Sequence, residues 1–300
     1  MDNHIDNAKL TLKRNGKSFY WAGKFLSEEY INRAAELYSF CRALDDIADS
    51  GDPSSLKCLK GIKFNLNNNL YSDIENSYSI KYPKFFNSSS NKAAVDLIDG
   101  LILDQNSILF RDESELIRYS YHVAGTVGLM MCDALKCENK NAKLFAIDLG
   151  IAMQMTNIAR DVLEDAKMGR RYIPASWIDN ISPEDIVLAV KKNDSKKYDI
   201  ISNGIKRLLT LADKYYMSGS MGFRYLPFKT RIAISIASGV YRQIGVQLKS
   251  NGYNWYSGRH VTSILTKARI TIIKIIEEIF RRKVVTQHQF ELHKFLKELF

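Results

Sequence analysis

Two short acidic segments of this chain have residue types and spacing that could do chemistry. In the first, Asp45 and Asp49 stand four residues apart in a long stretch without Pro or Gly, and Tyr38 and Arg42 precede them at helical spacing. At about 100° per residue, these four side chains fall within one arc of a helix. Carboxylates at this spacing repel each other, and a divalent cation held between them reverses that effect. Taken alone, the segment could also be a solvated acidic helix face.

The second segment repeats the acidic pattern and adds amides. Gln154, Asn157, Asp161 and Asp165 recur at helical spacing, with Glu164 at the margin of the same face. Apolar residues flank this polar line, and such a line facing a dry core without partners would be costly. An exposed amphipathic stripe, which is the alternative, would usually carry lysine. The segment is therefore predicted to line a cavity that binds something cationic.

Two such helices facing each other would place four aspartates around one cavity. Hard oxygen ligands favour Mg²⁺, which keeps several waters and is often shared with substrate phosphates. Mn²⁺ is the alternative ion for the same ligands. Arg42, on the first acidic face, could bind the oxygens of the same substrate. The predicted substrate is therefore a diphosphate.

Helices must position these segments, since helical periodicity dominates the sequence and only 5 prolines interrupt it. A chain of 300 residues is long enough to bury a large core. No repeat, low-complexity tract or shift in composition marks a boundary, so one all-α domain over 1–300 is predicted. The predicted helices cover 17–26, 28–49, 54–70, 92–109, 113–135, 141–166, 183–192, 197–219, 227–250 and 262–282.

Composition restricts the class of partner. A net charge of +10 suits nucleic acid, anionic lipid or a small anionic substrate, or reflects only a lysine-rich surface; no nucleic-acid-binding motif accompanies it. The four cysteines form no C-x-x-C pair, and no apolar leader or membrane-spanning run is visible, so a cytoplasmic location is predicted. The five histidines are scattered and are predicted to be solvated or core residues.

The stretch 259–283 mixes isoleucines with basic residues. Such a stretch could lie on the inner face of an anionic membrane, where a greasy substrate and product would partition. The alternative is a closing core helix with a basic outer face. The sequence gives no indication of the oligomeric state.

Further segments accompany the two acidic ones along the chain. In order, the set comprises 17–20, 38–49, 119–128, 154–165, 169–174, 226–228 and 240–245. Their joint occurrence in this order resembles the squalene and phytoene synthase family, most of all its bacterial phytoene synthases. The resemblance runs from about 16 to 267, which is nearly the whole chain.

The resemblance implies an all-α isoprenoid-synthase fold, a helical bundle around a deep central cavity that binds two prenyl diphosphates. The residues that it implies as ligands of Mg²⁺ are Asp45, Asp49, Asn157, Asp161 and Asp165. Those that it implies as catalytic are Asp45, Asp49, Asp161, Asp165, Tyr119 and Tyr241. Those that it implies as substrate-binding are Ser18, Phe19, Tyr38, Arg42, Gln154, Asn157, Arg170, Tyr172 and Arg259.

Two details of the resemblance concern the cavity mouth. Residues 169–174 are implied to form a flap over it. Asn15 and Gly16 stand where many relatives carry His and Ser. A hydroxyl contact to the diphosphate is therefore expected to be missing here.

The implied reaction is the head-to-head condensation of two geranylgeranyl diphosphates to phytoene through a cyclopropyl diphosphate. One alternative is squalene or dehydrosqualene synthesis from farnesyl diphosphate. A nicotinamide cofactor, which squalene formation would need, is not expected, because no G-x-G-x-x-G follows a strand pattern. The other alternative is a non-catalytic relative that binds lipid or a partner, and the two intact aspartate pairs argue against it.

Overall fold

The computed structural model describes residues 3–105, 108–281 and 287–299, and α-helices dominate this part of the chain. They are α1 Asn3–Asn15, α2 Lys17–Gly23, α3 Glu28–Asp49, α4 Ser55–Asn67, α5 Tyr71–Tyr78, α6 Ser88–Leu103, α7 Glu113–Ser120, α8 Thr126–Ala134, α9 Lys140–Arg160, α10 Val162–Lys167, α11 Pro183–Lys192, α12 Ser195–Met221, α13 Phe228–Ser250 and α14 Ile264–Ile279. The all-α prediction is confirmed.

Helix α9 lies at the centre of the packing. It contacts α7, α8, α12 and α13, and α12 runs along much of its length. One large apolar cluster joins α9 to α7, α10 and α12, and a second joins α3, α4, α6 and α8. A smaller cluster joins α2, α13 and α14. Apolar faces thus hold α3 on one side of the molecule and α9 on the other, with a cavity between them.

Close approach between α9 and the segment 121–134, which ends in α8, depends on two glycines. A Cβ atom on Gly128 would lie 2.2 Å from the Ala146 carbonyl oxygen, and one on Gly150 would lie 2.2 Å from that of Ala124. Both distances are far inside van der Waals contact, so no larger residue fits without moving a backbone. Between α7 and α8 the chain forms a π-helical turn, Tyr121–Gly125, where the sequence predicted one helix over 113–135.

A short backbone pairing joins the segment after α6 to the segment after α10. Leu109 and Arg171 form an isolated parallel bridge. The Arg171 amide donates to the Ile108 carbonyl at 2.7 Å, and the Phe110 amide donates to the Arg171 carbonyl at 3.1 Å. This pairing fixes residues 169–174, the predicted flap, beside the C-terminal end of α6.

Several helix boundaries differ from the prediction. Helices α1 and α5 were not predicted, because each offers few apolar residues and is recognisable only once its partners are in place. The predicted helix 92–109 ends at Leu103, which frees Asp104 to turn inward. The predicted helix 141–166 is two helices that meet at Asp161. Position 282, the predicted end of the last helix, lies outside the described residues.

Candidate active site

The C-terminal half of α3 holds the first predicted acidic pair. Leu37 and Leu44 are fully buried on the inner face and fix the rotation of the helix. That rotation places Asp45 in the cavity wall, while Asp49 lies one turn further on, at its exposed end. Burial, aided by the nearby charges of Asp49 and Asp104 and opposed by Arg42, raises the pKa of Asp45 to about 7.

The end of α9 brings the predicted amides into the same cavity. Gln154 and Asn157 both line it, together with Tyr241 from α13. The Tyr241 hydroxyl donates to Asn157 Oδ1, and Asn157 Nδ2 donates to Gln154 Oε1 at 3.3 Å. These hydrogen bonds orient the Asn157 side-chain oxygen, and one of them comes from Tyr241, which lies 84 residues further along the chain.

Asp161, at the junction of α9 and α10, is paired with two arginines. Arg160 Nε donates to Asp161 Oδ1 at 2.7 Å, and Arg259 Nε lies 3.0 Å from the same oxygen. Backbone bonds continue across the junction, since the Asp165 amide donates to the Asp161 carbonyl at 2.8 Å. Asp165 therefore stays one turn beyond Asp161, as the sequence spacing predicted.

Unlike Asp161, Asp165 forms no ion pair with an arginine or lysine among the described residues. Burial and the charge of Asp161, opposed by Arg170, together raise its pKa to about 8. Within the described part of the chain, the side chains of Asp45 and Asp165 make neither a hydrogen bond nor an ion pair. Both carboxylates are thus held in a poorly solvated place without a partner.

Asp104, at the end of α6, is a site residue that the sequence analysis missed. It accepts hydrogen bonds from the Tyr119 hydroxyl at 2.8 Å and from the Tyr172 hydroxyl at 2.9 Å. Burial raises the pKa of Asp104 to about 6 in spite of these two donors. A lone aspartate directly after the apolar run 101–103 is the sequence signal that could have identified it.

The two acidic faces meet across Asp104. Its charge acts on Asp45 and on Asp165, which lie on different helices. Arg170 adds a second connection, because its Nη1 lies 3.4 Å from Asp49 Oδ1 and its Nη2 donates to the Asp104 carbonyl at 3.4 Å. The acidic cluster therefore consists of five carboxylates, from Asp45, Asp49, Asp104, Asp161 and Asp165.

The cavity beside the acidic cluster has a volume of about 450 Å³ and is polar at one end. Tyr38, Arg42, Asp45 and Arg160 lie at the polar end, and Arg42 is paired with Asp46 on the outer surface. Along α9 the lining runs back to Ala142, which is 15 residues before Asn157, or ~22 Å along the helix axis. The lining residues at the far end are Leu135, Cys137, Ala142, Phe145, Phe223 and Leu226.

The remaining predicted residues are divided between the cavity and its surroundings. Phe19 lines the cavity and stacks on Tyr241, with ring centroids 5.2 Å apart. Ser18 is half-buried in α2 and is not part of the lining. A Cβ atom on Gly16 would lie 3.0 Å from the Tyr38 ring, so close packing accounts for glycine at this position.

This geometry can be compared with known proteins. A sequence profile of the squalene/phytoene synthase family matches residues 12–78 and 81–267. A phytoene synthase of Rhodobacter capsulatus is 32% identical over 257 residues, which cover 81% of this chain and 72% of that protein. A phytoene synthase of Pseudescherichia vulneris is 30% identical over 279 residues, which cover 86% of this chain and 87% of that protein.

The chain belongs to the squalene/phytoene synthase family. The resemblance predicted from its motifs is thereby confirmed, and the chain is a prenyltransferase-type enzyme. Enzymes of this family act on prenyl diphosphates and generally depend on divalent metal ions.

Solved structures agree on the fold of the family. A crystal structure of a dehydrosqualene synthase in complex with ligand matches with a TM-score of 0.76 at 22% identity, over 90% of this chain and 94% of that chain. A squalene synthase, HpnC, from Alicyclobacillus acidocaldarius matches with a TM-score of 0.68 at 16% identity. The match covers 83% of this chain and 94% of that chain. At these identities the likeness establishes the isoprenoid-synthase helical fold and no more.

Proposed function

We propose that this enzyme condenses two geranylgeranyl diphosphates head to head, through a cyclopropyl diphosphate, to phytoene. The observation that carries the proposal is an acidic cluster at one end of a long apolar cavity. A diphosphate would lie at the polar end with its prenyl chain along the apolar lining. Relatives that are 30–32% identical over most of the chain and are named phytoene synthases support this product.

The acidic cluster fits divalent ions. Asp45 and Asp165 are carboxylates without partners among the described residues, and burial raises the pKa of each. Such groups are stabilised by a cation, and oxygen ligands of this kind suit Mg²⁺ or Mn²⁺. The residues that would hold the ions are Asp45, Asp49, Asn157, Asp161 and Asp165. Bound there, the metal would act as a Lewis acid on the departing diphosphate.

Three arginines would bind diphosphate oxygens around the same place. Arg42 lies in the cavity lining, whereas Arg170 and Arg259 are paired with Asp49 and Asp161. If those carboxylates held metal ions, the guanidinium groups would be free to contact the substrate. Their fixed positive charge favours the step in which the C–O bond breaks, because negative charge grows on the leaving group.

The carbocation left by ionisation needs a dry, electron-rich surrounding. Phe19 and Tyr241 present stacked rings in the cavity, and ring faces stabilise positive charge. Tyr119 and Tyr172 act from behind the polar end, where their hydroxyls hold Asp104 in place. The apolar lining excludes water, which would otherwise convert the cation into an alcohol.

Product analysis tests the proposal. Purified enzyme with Mg²⁺ is given geranylgeranyl diphosphate or farnesyl diphosphate, each with and without NADPH, and the hydrocarbons are identified. We expect phytoene from geranylgeranyl diphosphate, with no dependence on NADPH. Efficient conversion of farnesyl diphosphate alone, to dehydrosqualene or to squalene with NADPH, would assign the sibling reaction instead. No product from either substrate would favour a lipid- or partner-binding relative.

Chelation tests the metal assignment in the same assay. Treatment with EDTA should abolish turnover, and added Mg²⁺ or Mn²⁺ should restore it. Activity that persists after exhaustive chelation would contradict the assignment.

We further propose that α14 rests on an anionic membrane surface. The apolar residues on its outer side are 50% to 84% exposed, namely Leu265, Ile272, Ile276 and Ile279. They recur at helical spacing on one face, and Arg269 lies between them. Together with the net charge of +10, this face suits anionic lipid, into which the prenyl chains also partition. No helix within the described ranges is both long and apolar enough to span a bilayer.

Vesicle flotation tests this contact. The protein should float with vesicles that contain phosphatidylglycerol and lose most of that binding with Ile272→Ser and Ile276→Ser. Leu188→Ser, at an exposed leucine of α11, is the matched control and should bind as the unaltered protein does. Equal flotation of the α14 variants and the control would rule out α14 as the contact.

A further inference from the structure

Asp148, on α9, lies in a group of hydrogen-bonded side chains away from the acidic cluster. Its side chain is fully buried and accepts hydrogen bonds from His288 Nε2 at 2.8 Å, from His293 Nε2 at 2.7 Å and from Ser218 Oγ at 2.5 Å. We call these four residues the histidine clasp. Asp148 precedes Asn157 by nine residues, which places it on the opposite face of α9.

The separations in the clasp are those of hydrogen bonds. Two imidazoles and a carboxylate could also hold a metal ion, and their ligand atoms lie within 4.8 Å of one another. The 2.7–2.8 Å distances, however, match N–H···O bonds to a carboxylate, whereas ligands around one ion stand farther apart. Each imidazole therefore donates a hydrogen bond to the Asp148 carboxylate, and the donors satisfy the buried charge.

The clasp fastens the C-terminal segment, residues 287–299, to the core. Tyr215 Oη donates to the Leu292 carbonyl at 2.6 Å, and Arg118 Nε donates to the Phe295 carbonyl at 3.1 Å. Leu296 is fully buried in the apolar cluster around α9. The position of the segment is thus determined by several independent contacts.

One ring connects the clasp to the cavity. The His288 ring packs edge-on against Phe145, with centroids 5.3 Å apart. Phe145 lines the cavity at its apolar end and also stacks on Tyr225, with centroids 6.1 Å apart. Gly222 packs directly against Phe145, since a Cβ on Gly222 would lie 2.4 Å from the Phe145 Cβ. Phe145 is therefore part of the end wall of the cavity, and His288 packs against it from outside the lining.

We propose that His288 sets the length of prenyl chain that the cavity accepts, by holding Phe145 in place. The inference rests on the proposed function, because it takes the apolar end as the place where the chain ends. Without the His288 ring, Phe145 can move into the vacated space, and the cavity lengthens. His288 is a positioning residue, since it touches Phe145 and not the substrate.

The first test compares two variants of the clasp. His288→Ala removes a hydrogen bond to Asp148 and the ring behind Phe145, while His293→Ala removes an equivalent hydrogen bond and leaves the His288–Phe145 contact. We expect His288→Ala to raise kcat/KM for the homologue one isoprene unit longer than geranylgeranyl diphosphate, relative to geranylgeranyl diphosphate, by roughly threefold or more. His293→Ala should change this ratio by less, although both variants lose thermal stability.

Phe145→Ala gives the upper limit of the effect. It opens the end wall directly and should shift the same ratio by at least roughly tenfold. Adding His288→Ala to Phe145→Ala should then change the ratio no further, because the residue through which His288 acts is gone. If His288→Ala does not fold, His288→Gln keeps a donor for Asp148 with less bulk behind Phe145 and should shift the ratio in the same direction.

Binding measurements separate this inference from the proposed reaction. Non-ionising thiolo-diphosphate analogues of the two chain lengths report the preference of the cavity without turnover. If the unaltered protein binds them but forms no phytoene, the proposed reaction fails while the length preference of His288→Ala can still be read. An unchanged preference in His288→Ala, or an equal change in His293→Ala, would overturn the role of His288.

Discussion

Asp148 on α9 is fully buried and Asp165 on α10 is half-buried, and their surroundings shift the pKa of the two carboxyl groups in opposite directions. Burial raises the pKa of each, but hydrogen bonds from His288 and His293 outweigh it at Asp148, whose pKa lies below its ordinary value. At Asp165 the neighbouring Asp161 adds to the effect of burial, and the pKa rises to about 8. The protein itself supplies the partners of the first carboxylate, whereas the second requires a partner from outside.

The difference separates a structural carboxylate from a functional one. A charge satisfied by protein donors stabilises the fold and is unavailable to a ligand. Carboxylates left unpaired near one another cost stability, and that cost is recovered when a cation binds. Asp148 belongs to the first class, and Asp45 and Asp165 to the second.

Asp45→Asn should have the largest effect on activity. It removes a charge that would hold the metal, and we expect turnover to fall by roughly 10²–10³-fold or more, with helix content unchanged by circular dichroism. Asp46→Asn is the matched control, since Asp46 points outward and pairs with Arg42 on the surface. A loss as large in Asp46→Asn, or near-normal turnover in Asp45→Asn, would remove the distinction between the two faces of α3.

Asp148→Ala should have the largest effect on stability. It leaves two buried histidines and Ser218 without their shared acceptor, so we expect a loss of about 3 kcal/mol in the free energy of unfolding by urea. The control is Asp213→Asn, because Asp213 forms a half-exposed ion pair with Arg242 and should cost under about 1 kcal/mol. Equal losses in the two variants would show that the clasp adds little to the fold.

Asp165→Asn should have a smaller effect, and in the opposite direction. In metal-free protein the raised pKa makes the charged form of Asp165 unfavourable in the folded state, so the neutral amide should stabilise by on the order of 1 kcal/mol at pH 7. The gain should shrink as the pH falls and should vanish below about 3, where the carboxyl group is protonated in both the folded and the unfolded state. Thermal unfolding after chelation measures it. A loss of stability at pH 7 would place Asp165 in the same class as Asp148.

Local spacing gave a large part of the predicted site, and the reason is geometric. Residues three or four apart on a helix share a face, so Asp45 and Asp49 could be paired from the sequence, as could Gln154 and Asn157. The family and the all-α fold were predicted correctly. The roles of the site residues and the single domain stay predictions.

Asp104 shows where local reasoning stops. Its donors, Tyr119 and Tyr172, stand 15 and 68 residues away, and no periodicity relates three such positions. The end of α6 at Leu103 and the pairing around Leu109 and Arg171 bring them together. Both features depend on contacts with the rest of the bundle.

The sequence by itself determined which residues share a helix face, because the helical repeat converts spacing into direction. It also determined that the chain is helical, since apolar residues recur with that period and breakers are few. Only the tertiary structure decided which faces meet, and so joined the two acidic helices through Asp104 and placed His288 behind Phe145 from 143 residues further along the chain. Such contacts follow from the packing of whole helices, and spacing along the chain carries no information about them.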